Sequence, residues 1–316
     1  MRCAPRSATS TGERNAWYHG RVALYVASSL RRDRLIAWLG TGLLGANFVR
    51  KMLERGESVH VWNRTPEKAR ALQADGADVF DTAADAVRGA AEIHLTLSDD
   101  AAVDSVLDPL ADLILPTAVI ADHTTTAPTP TGERVARWKQ RGRTFVHAPV
   151  FMGPKNARDA TGLMLLSGDA EVRERVKPLL APMTGKIVEL GDDPTRAASF
   201  KLFGNMLLLV ITGGLADVYK FARALGIDPT DAFTLFNEFN PGNAVPMRGK
   251  MMAEGAFTPP SFELTMARKD LRLMVDEAAR HGEKLDVVPC VGALYDRYIA
   301  AGFGSEDAAV VGSGRA

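Results

Sequence analysis

More than thirty residues, from Pro194 to Gly226, run without an internal proline and with an apolar face that never breaks (PTRAASFKLFGNMLLLVITGGLADVYKFARALG). At 1.5 Å per residue such a helix is a rod about 45–50 Å long, well beyond the usual globular helix. A rod of that length joins two bodies of a protein more readily than it lies along one. Lys201 and Asn205 fall four residues apart in its first turns and therefore share a face.

The chain before the rod alternates strand and helix patterns. An apolar run, Arg34 to Leu39, leads into Gly40-Thr41-Gly42-Leu43-Leu44-Gly45, and Phe48, Val49, Met52 and Leu53 then take helical spacing up to Gly56. Further strands are predicted at Ser58–Trp62, Asp78–Phe80, Ile93–Leu97, Ala118–Ala121 and Phe145–Val150, with helices at 66–74, 83–87, 101–110 and 131–140. Leu163–Ser167 and Lys186–Leu190 are two more strands around a charged helix at 170–180. This alternation predicts a doubly wound parallel sheet, that is, an α/β Rossmann-like domain. Beyond the rod the strand patterns stop. Helices are predicted at 228–238, 246–254, 261–281 and 288–300, giving an all-α C-terminal domain with a boundary near Asp193.

G-x-G-x-x-G by itself is a weak signal, because glycines often serve tight turns. Here a strand ends at Leu39 and a helix starts inside the motif, the setting in which unpaired amide groups receive a pyrophosphate. Gly40 allows the turn, Gly42 clears the path of the pyrophosphate and Gly45 lets helix and sheet approach. The next strand ends in Asn63-Arg64-Thr65, where an NAD site usually carries a carboxylate for the ribose hydroxyls. A guanidinium there suits a 2′-phosphate, so NADP(H) is expected over NAD(H).

Nicotinamide chemistry needs a group that moves a proton at the substrate oxygen while hydride moves at carbon. Lys201 is suited to that task, and Asn205 to orienting the substrate or the ammonium. Ala197, Ala198 and Gly204 keep the neighbouring surface small enough for a ligand to approach. A lysine that merely snorkels to water is the bland alternative. His123 and His147, both at strand ends, are the other candidate acids, although histidines there more often pack or hydrogen-bond.

These motifs together resemble the β-hydroxyacid dehydrogenase family, which includes 3-hydroxyisobutyrate dehydrogenases and glyoxylate/succinic semialdehyde reductases; the resemblance runs from Leu35 to Val311. It is carried by residues 40–45, the loop Asp122-His123-Thr124-Thr125-Thr126-Ala127-Pro128, the loop His147-Ala148-Pro149-Val150-Phe151-Met152-Gly153, the pair Lys201 and Asn205, and Lys269-Asp270-Leu271. It implies a C-terminal domain like that of 6-phosphogluconate dehydrogenase. It further implies catalysis by Lys201 with Asn205, substrate contacts at Thr125, Phe151, Met152 and Gly153, and cofactor contacts at Gly40, Thr41, Gly42, Leu43, Leu44, Gly45, Asn63, Arg64, Thr65, Leu97, Ser98, Thr125 and Lys269. A homodimer, or a tetramer, is the implied assembly.

Two departures concern the substrate. Phe151 and Met152 stand where the family commonly has Ser and Gly, so a hydroxyl that would hold a carboxylate is lost, while the backbone donors are expected to survive. Arg158 and Arg196 are local candidates to replace it. His147 stands where the family commonly has Asp. Imine reductases resemble the family in architecture, but their position equivalent to Lys201 is typically Asp or Tyr, so Lys201 argues for oxygen at the reacting carbon. A non-catalytic NADP-binding protein is the remaining class, and retention of Lys201 argues against it.

Lys plus Arg and Asp plus Glu both total 38, which removes any global field attracting nucleic acid or anionic lipid. Two cysteines, Cys3 and Cys290, form neither a disulfide framework nor a metal cluster and suit a reducing cytosol. The apolar run Met206–Ala216 is too short to cross a bilayer, so no membrane span is expected. Residues 1–33, with seven arginines by residue 34, are expected to form a disordered extension.

Overall fold

The computed structural model describes residues 34–316. Residues 1–33, with the expected extension and Cys3, lie outside the described residues. Two compact units divide between Gly204 and Asn205, a boundary inside the long helix, whereas the sequence pattern puts it near Asp193.

The first unit begins with β1 (Leu35–Leu39), α1 (Leu43–Glu54), β2 (Ser58–Trp62), α2 (Pro66–Arg70), β3 (Asp78–Val79) and α3 (Ala83–Ala86). It continues with β4 (Glu92–Leu95), α4 (Asp100–Leu107), β5 (Val119–Asp122), α5 (Pro128–Gln140) and β6 (Thr144–His147). All six strands pair in parallel in the order β3-β2-β1-β4-β5-β6. The order reverses beside β1, which places a crevice at the carboxyl ends of β1 and β4. Side-chain alternation supplies two cores. Ile36, Trp38, Val59, Val61, Ala121 and Val146 face α1, where Phe48, Val49 and Met52 cover them. Ala37, Leu39, Ile93, Leu95, Ile120 and Phe145 face the opposite layer, covered by Val103, Leu107 and Trp138. Strands buried on both faces require apolar residues at every position, as LIAWL has.

The apolar stretch 145–150 reads as one strand but forms two. Pro149 lacks an amide hydrogen, and the chain leaves the parallel sheet after His147. A second, three-stranded sheet follows: β7 (Val150–Phe151), α6 (Pro154–Asp159), β8 (Leu163–Leu166), α7 (Ala170–Leu180) and β9 (Lys186–Glu189), in the order β7-β8-β9. β7 is antiparallel to β8, and β8 is parallel to β9. The predicted strand 93–97 ends at Leu95, which leaves Leu97 and Ser98 on the loop above β4.

α8 (Arg196–Ala224) is the long helix. By length and composition alone it is long and apolar enough to cross a membrane, so the expectation that no apolar run reaches that length does not hold; the turns flanking 206–216 are also apolar. Its later turns are tied into the second unit by a buried carboxylate. Asp217 accepts from the amides of Asp286, Val287 and Val288 at 2.8, 2.8 and 2.9 Å. α9 (Pro229–Glu238), α10 (Ala244–Glu254), α11 (Leu264–Arg280) and α12 (Val288–Ala300) complete that unit. Its core gathers Phe257, Leu264, Tyr298 and Val310.

Inside the first unit, Trp38, His94 and His123 stack, with ring centroids 5.0 Å apart for Trp38–His94 and 5.3 Å for His94–His123. His94 Nδ1 lies 3.0 Å from His123 Nε2, and His123 Nδ1 lies 2.7 Å from the Ala148 carbonyl. Burial, with His94 close by, pushes His123 down to about 3, so the ring is neutral in the folded protein. Above pH 6.5 it is neutral in the unfolded chain as well and contributes no pH dependence. As pH falls from 6.5 towards 3 the unfolded chain binds a proton that the folded chain refuses, and stability declines by roughly 1.4 kcal/mol per unit. His123→Asn is expected to flatten the fall of Tm between pH 6.5 and 4; an unchanged slope would show that the ring is not the acid-sensitive group.

Candidate functional site

The glycine-rich loop sits at the carboxyl end of β1, and its glycines answer different demands. A Cβ at Gly40, whose φ is +100°, would lie 2.3 Å from the Thr96 carbonyl oxygen. A Cβ at Gly45 would lie 2.1 Å from the Gly40 carbonyl oxygen and 2.3 Å from Thr96 Oγ1. These two glycines are demanded by the protein itself. At Gly42 a Cβ meets nothing within 4 Å, so no protein contact requires a glycine there. The space it leaves lies at the start of α1, where helix geometry leaves amide groups without intrahelical partners. A dinucleotide pyrophosphate fits that combination. Leu43, 82% exposed, projects from the same turn, and Thr41 and Leu44 are held closer to the body.

The loop is pinned from below. Trp38 Nε1 donates to the Gly40 carbonyl at 3.1 Å and to Thr96 Oγ1 at 3.0 Å, and Thr96 Oγ1 donates to the same carbonyl at 2.5 Å. Neither residue was singled out by the motif, although a buried Trp just before the glycines, which needs a partner for its N–H, was the available signal. Asn63 is also positional. Its Oδ1 accepts from the Thr41 amide at 2.9 Å and its Nδ2 donates to the Thr65 carbonyl at 2.9 Å. Its amide is spent on joining two loops, which leaves Arg64 and Thr65 exposed at the crevice. The Asp99 carboxylate at the start of α4 is held below its usual range by the Ala102 amide, by Ser98 and by the charge of Arg64; the positive charge therefore lies on the side of the crevice that Leu97 and Ser98 border.

Among the three consecutive threonines, Thr124 accepts from the Leu97 amide at 3.0 Å and Thr126 bonds Thr131 at 2.8 Å, both buried. Thr125 alone is exposed and available to a ligand. His123 and His147 are buried at 3% and 2% exposure. His123 is held by Ala148 and His94, and His147 Nδ1 faces Asp122 Oδ2 at 3.7 Å across the paired strands β5 and β6. Neither is placed to exchange a proton with a ligand.

Lys201 is different. It is 8% exposed, and its Nζ stands 4.1 Å from the centroid of the Phe151 ring. The second sheet brings Phe151 there, and Gly204 makes room for it, since a Cβ at Gly204 would lie 2.3 Å from Phe151 Cζ. Ala197 and Ala198 are fully buried, and the Ala197 amide is anchored on Ser167 Oγ at 3.0 Å. Burial lowers the Lys201 ammonium below its ordinary 10.5, and among the described residues no carboxylate is paired with it to offset that. Such a lysine releases its proton more readily than a solvated one.

The rest of the 151–153 loop differs from expectation. Met152 packs towards Gly162 and the core. The Gly153 amide, expected to remain a free donor, is taken by Asn156 Oδ1 at 3.0 Å as part of the cap of α6. Arg158 pairs with Glu54, and Arg196 lies over the Phe200 ring at 5.5 Å. In the second unit, Asn205 is half-buried on α8, and Lys269 pairs with its neighbour Asp270 at 2.9 Å.

A fold with this crevice and glycine loop is that of a dinucleotide-binding protein, and similarity to known proteins makes the chain an NAD(P)-dependent oxidoreductase. Residues 35–191 match the profile described as the NAD binding domain of 6-phosphogluconate dehydrogenase, and residues 196–312 match the profile described as NAD-binding of NADP-dependent 3-hydroxyisobutyrate dehydrogenase. The chain belongs to the β-hydroxyacid dehydrogenase family. It is 27% identical over 273 residues to a probable 3-hydroxyisobutyrate dehydrogenase of Mycobacterium tuberculosis, covering 84% of this chain and 92% of that one. It is 27% identical over 286 residues to an NAD-dependent L-serine dehydrogenase of Pseudomonas aeruginosa, covering 87% and 96%. An imine reductase from Myxococcus stipitatus, solved with NADP+, shares the fold with a TM-score of 0.82 at 20% identity, over 88% of this chain and 98% of that one.

Proposed function

We propose that this oxidoreductase is NADP(H)-dependent and interconverts a small hydroxy compound and its aldehyde or ketone, with Lys201 as the general acid and base. The β-hydroxy acids named for its relatives are the class against which its own substrate is compared. The observation that carries the reading is the Lys201 ammonium, buried against Phe151 with its pKa lowered and no carboxylate neutralising it. When bound, NADPH supplies hydride to the carbonyl carbon. Lys201 Nζ gives its proton to the carbonyl oxygen as negative charge develops there, becomes a neutral amine and is reloaded from solvent. Oxidation uses the same groups in reverse. In this scheme Asn205, one turn of α8 beyond Lys201, orients the amine, and Thr125 contributes its exposed hydroxyl. Arg64, exposed beside the crevice without a paired carboxylate within salt-bridge distance among the described residues, supports a 2′-phosphate and hence NADP(H).

Imine reduction is the second reading, favoured by the fold shared with imine reductases; the imine nitrogen would then replace the carbonyl oxygen as proton acceptor. Within the same proposal the chain works in the cytosol as a homodimer. Met206, Leu208 and Leu209 on α8 are 65%, 58% and 69% exposed, an apolar face that a second copy would cover.

Lys201→Met should leave NADPH binding within a few-fold of the wild type and lower turnover roughly 10²–10⁴-fold. In the wild type, reduction should fall with rising pH through a limb below 10.5, oxidation should rise over the same range, and the variant should lose both limbs. Undiminished turnover would remove Lys201 from the mechanism. Arg64→Ala should weaken NADPH roughly tenfold and NADH little; equal losses in a fluorescence titration would reject the cofactor preference.

A further inference from the structure

The ring that faces the Lys201 ammonium narrows what can react there. A carbonyl oxygen that accepts the Lys201 proton sits about 2.8 Å from Nζ, and Nζ is itself 4.1 Å from the centre of the Phe151 ring. A substrate that reaches Nζ from the ring side therefore sets the groups on its carbonyl carbon beside an aromatic ring. The ring cannot simply withdraw, because it is wedged against the backbone at Gly204, where even one added carbon would overlap it.

Several polar groups near Phe151 and Lys201 in sequence are already committed. The Gly153 amide donates to Asn156 Oδ1 at 3.0 Å. Arg158 is paired with Glu54, Arg196 lies over the Phe200 ring, and Lys155 holds Asp159 at 2.5 Å. Residue 151 itself brings no hydroxyl. Lys201 itself is needed at the reacting oxygen. A carboxylate placed next to Phe151 would thus lose hydration against the ring, and none of these groups is free to take it, the situation that buried anions avoid. An ester, an alkyl chain or an aryl group loses nothing there and gains contact with the ring.

We propose that Phe151 is the specificity-determining residue of this site and that the substrate class is uncharged carbonyl compounds bearing an apolar substituent, rather than carbonyl acids. This rests on the reading of Lys201 as the proton donor. Phe151 acts by direct contact with the substrate and also keeps the ammonium on an aromatic face, where a cation is attracted without being neutralised.

The test compares two aldehydes that differ by one charge: 4-oxobutanoate and its methyl ester. Consumption of NADPH by the purified full-length chain is followed for the wild type, Phe151→Ser and Phe151→Leu, with thermal melts to confirm that each variant is folded. The wild type should favour the ester by at least tenfold in kcat/KM. Phe151→Leu, which keeps an apolar side chain, should retain that preference, and Phe151→Ser should reduce it tenfold or invert it. A wild type that favours the acid, or a ratio unchanged in Phe151→Ser, would overturn the assignment of Phe151 while leaving the role of Lys201 intact. Turnover of neither aldehyde by a chain that binds NADPH, with a cyclic imine reduced instead, would overturn the carbonyl reading and this inference together.

Discussion

An ammonium group held out of water on the face of a benzene ring is the contact from which the rest of the site follows. Burying a charge without an ionic partner is costly, and Lys201 does so with Phe151 against it and burial lowering its pKa. Keeping it there requires a flat, small-residue start to α8, which Ala197, Ala198 and Gly204 provide. It also requires Phe151 to arrive from another element. The short sheet β7-β8-β9 does this: pairing of Phe151 with Leu163 fixes the register of β7, and Ser167, just after β8, anchors the Ala197 amide. The second sheet is thus the frame that sets a ring against a lysine.

The cofactor crevice depends on a comparable arrangement one layer away. Trp38 and Thr96 converge on the Gly40 carbonyl, and Gly45 lets the helix approach that same oxygen. Because Trp38 is also the first ring of the stack with His94 and His123, the glycine turn rests on a buried polar column. The column holds only while His123 stays neutral, since a positive charge on that buried ring would have no water to shield it. Its tie from His123 to the Ala148 carbonyl reaches the segment where the chain leaves β6 for β7, so the cofactor turn and the lysine-ring pair share a support.

Much of this was legible in the sequence, and the parts that were not share a cause. The parallel sheet, the long helix and the helical second unit follow from periodicity and punctuation, and β2, α7 and α12 fall on the expected residues. The glycine loop and Lys201 were legible because spacing alone places them on a strand end and a helix face. Hydrogen-bond bookkeeping was not. Nothing in Asn63 reveals that both ends of its amide serve neighbouring loops, and nothing in Gly153 reveals that Asn156 takes its N–H. The division of 145–150 into two strands was hidden because both halves are apolar and buried, and only Pro149 marks the place where one sheet ends. The apolar length of α8 extends beyond 206–216 because Lys201 is the only charged residue between Ala197 and Ala216.

The most direct measurement of the central claim is the position of the Lys201 side chain in a crystal of the ternary complex with NADP+ and a bound alcohol. The account predicts Nζ about 2.6–3.2 Å from the alcohol oxygen, with the Phe151 ring in contact with the alcohol's carbon substituent. An Nζ turned to bulk solvent, with another acid beside that oxygen, would contradict it.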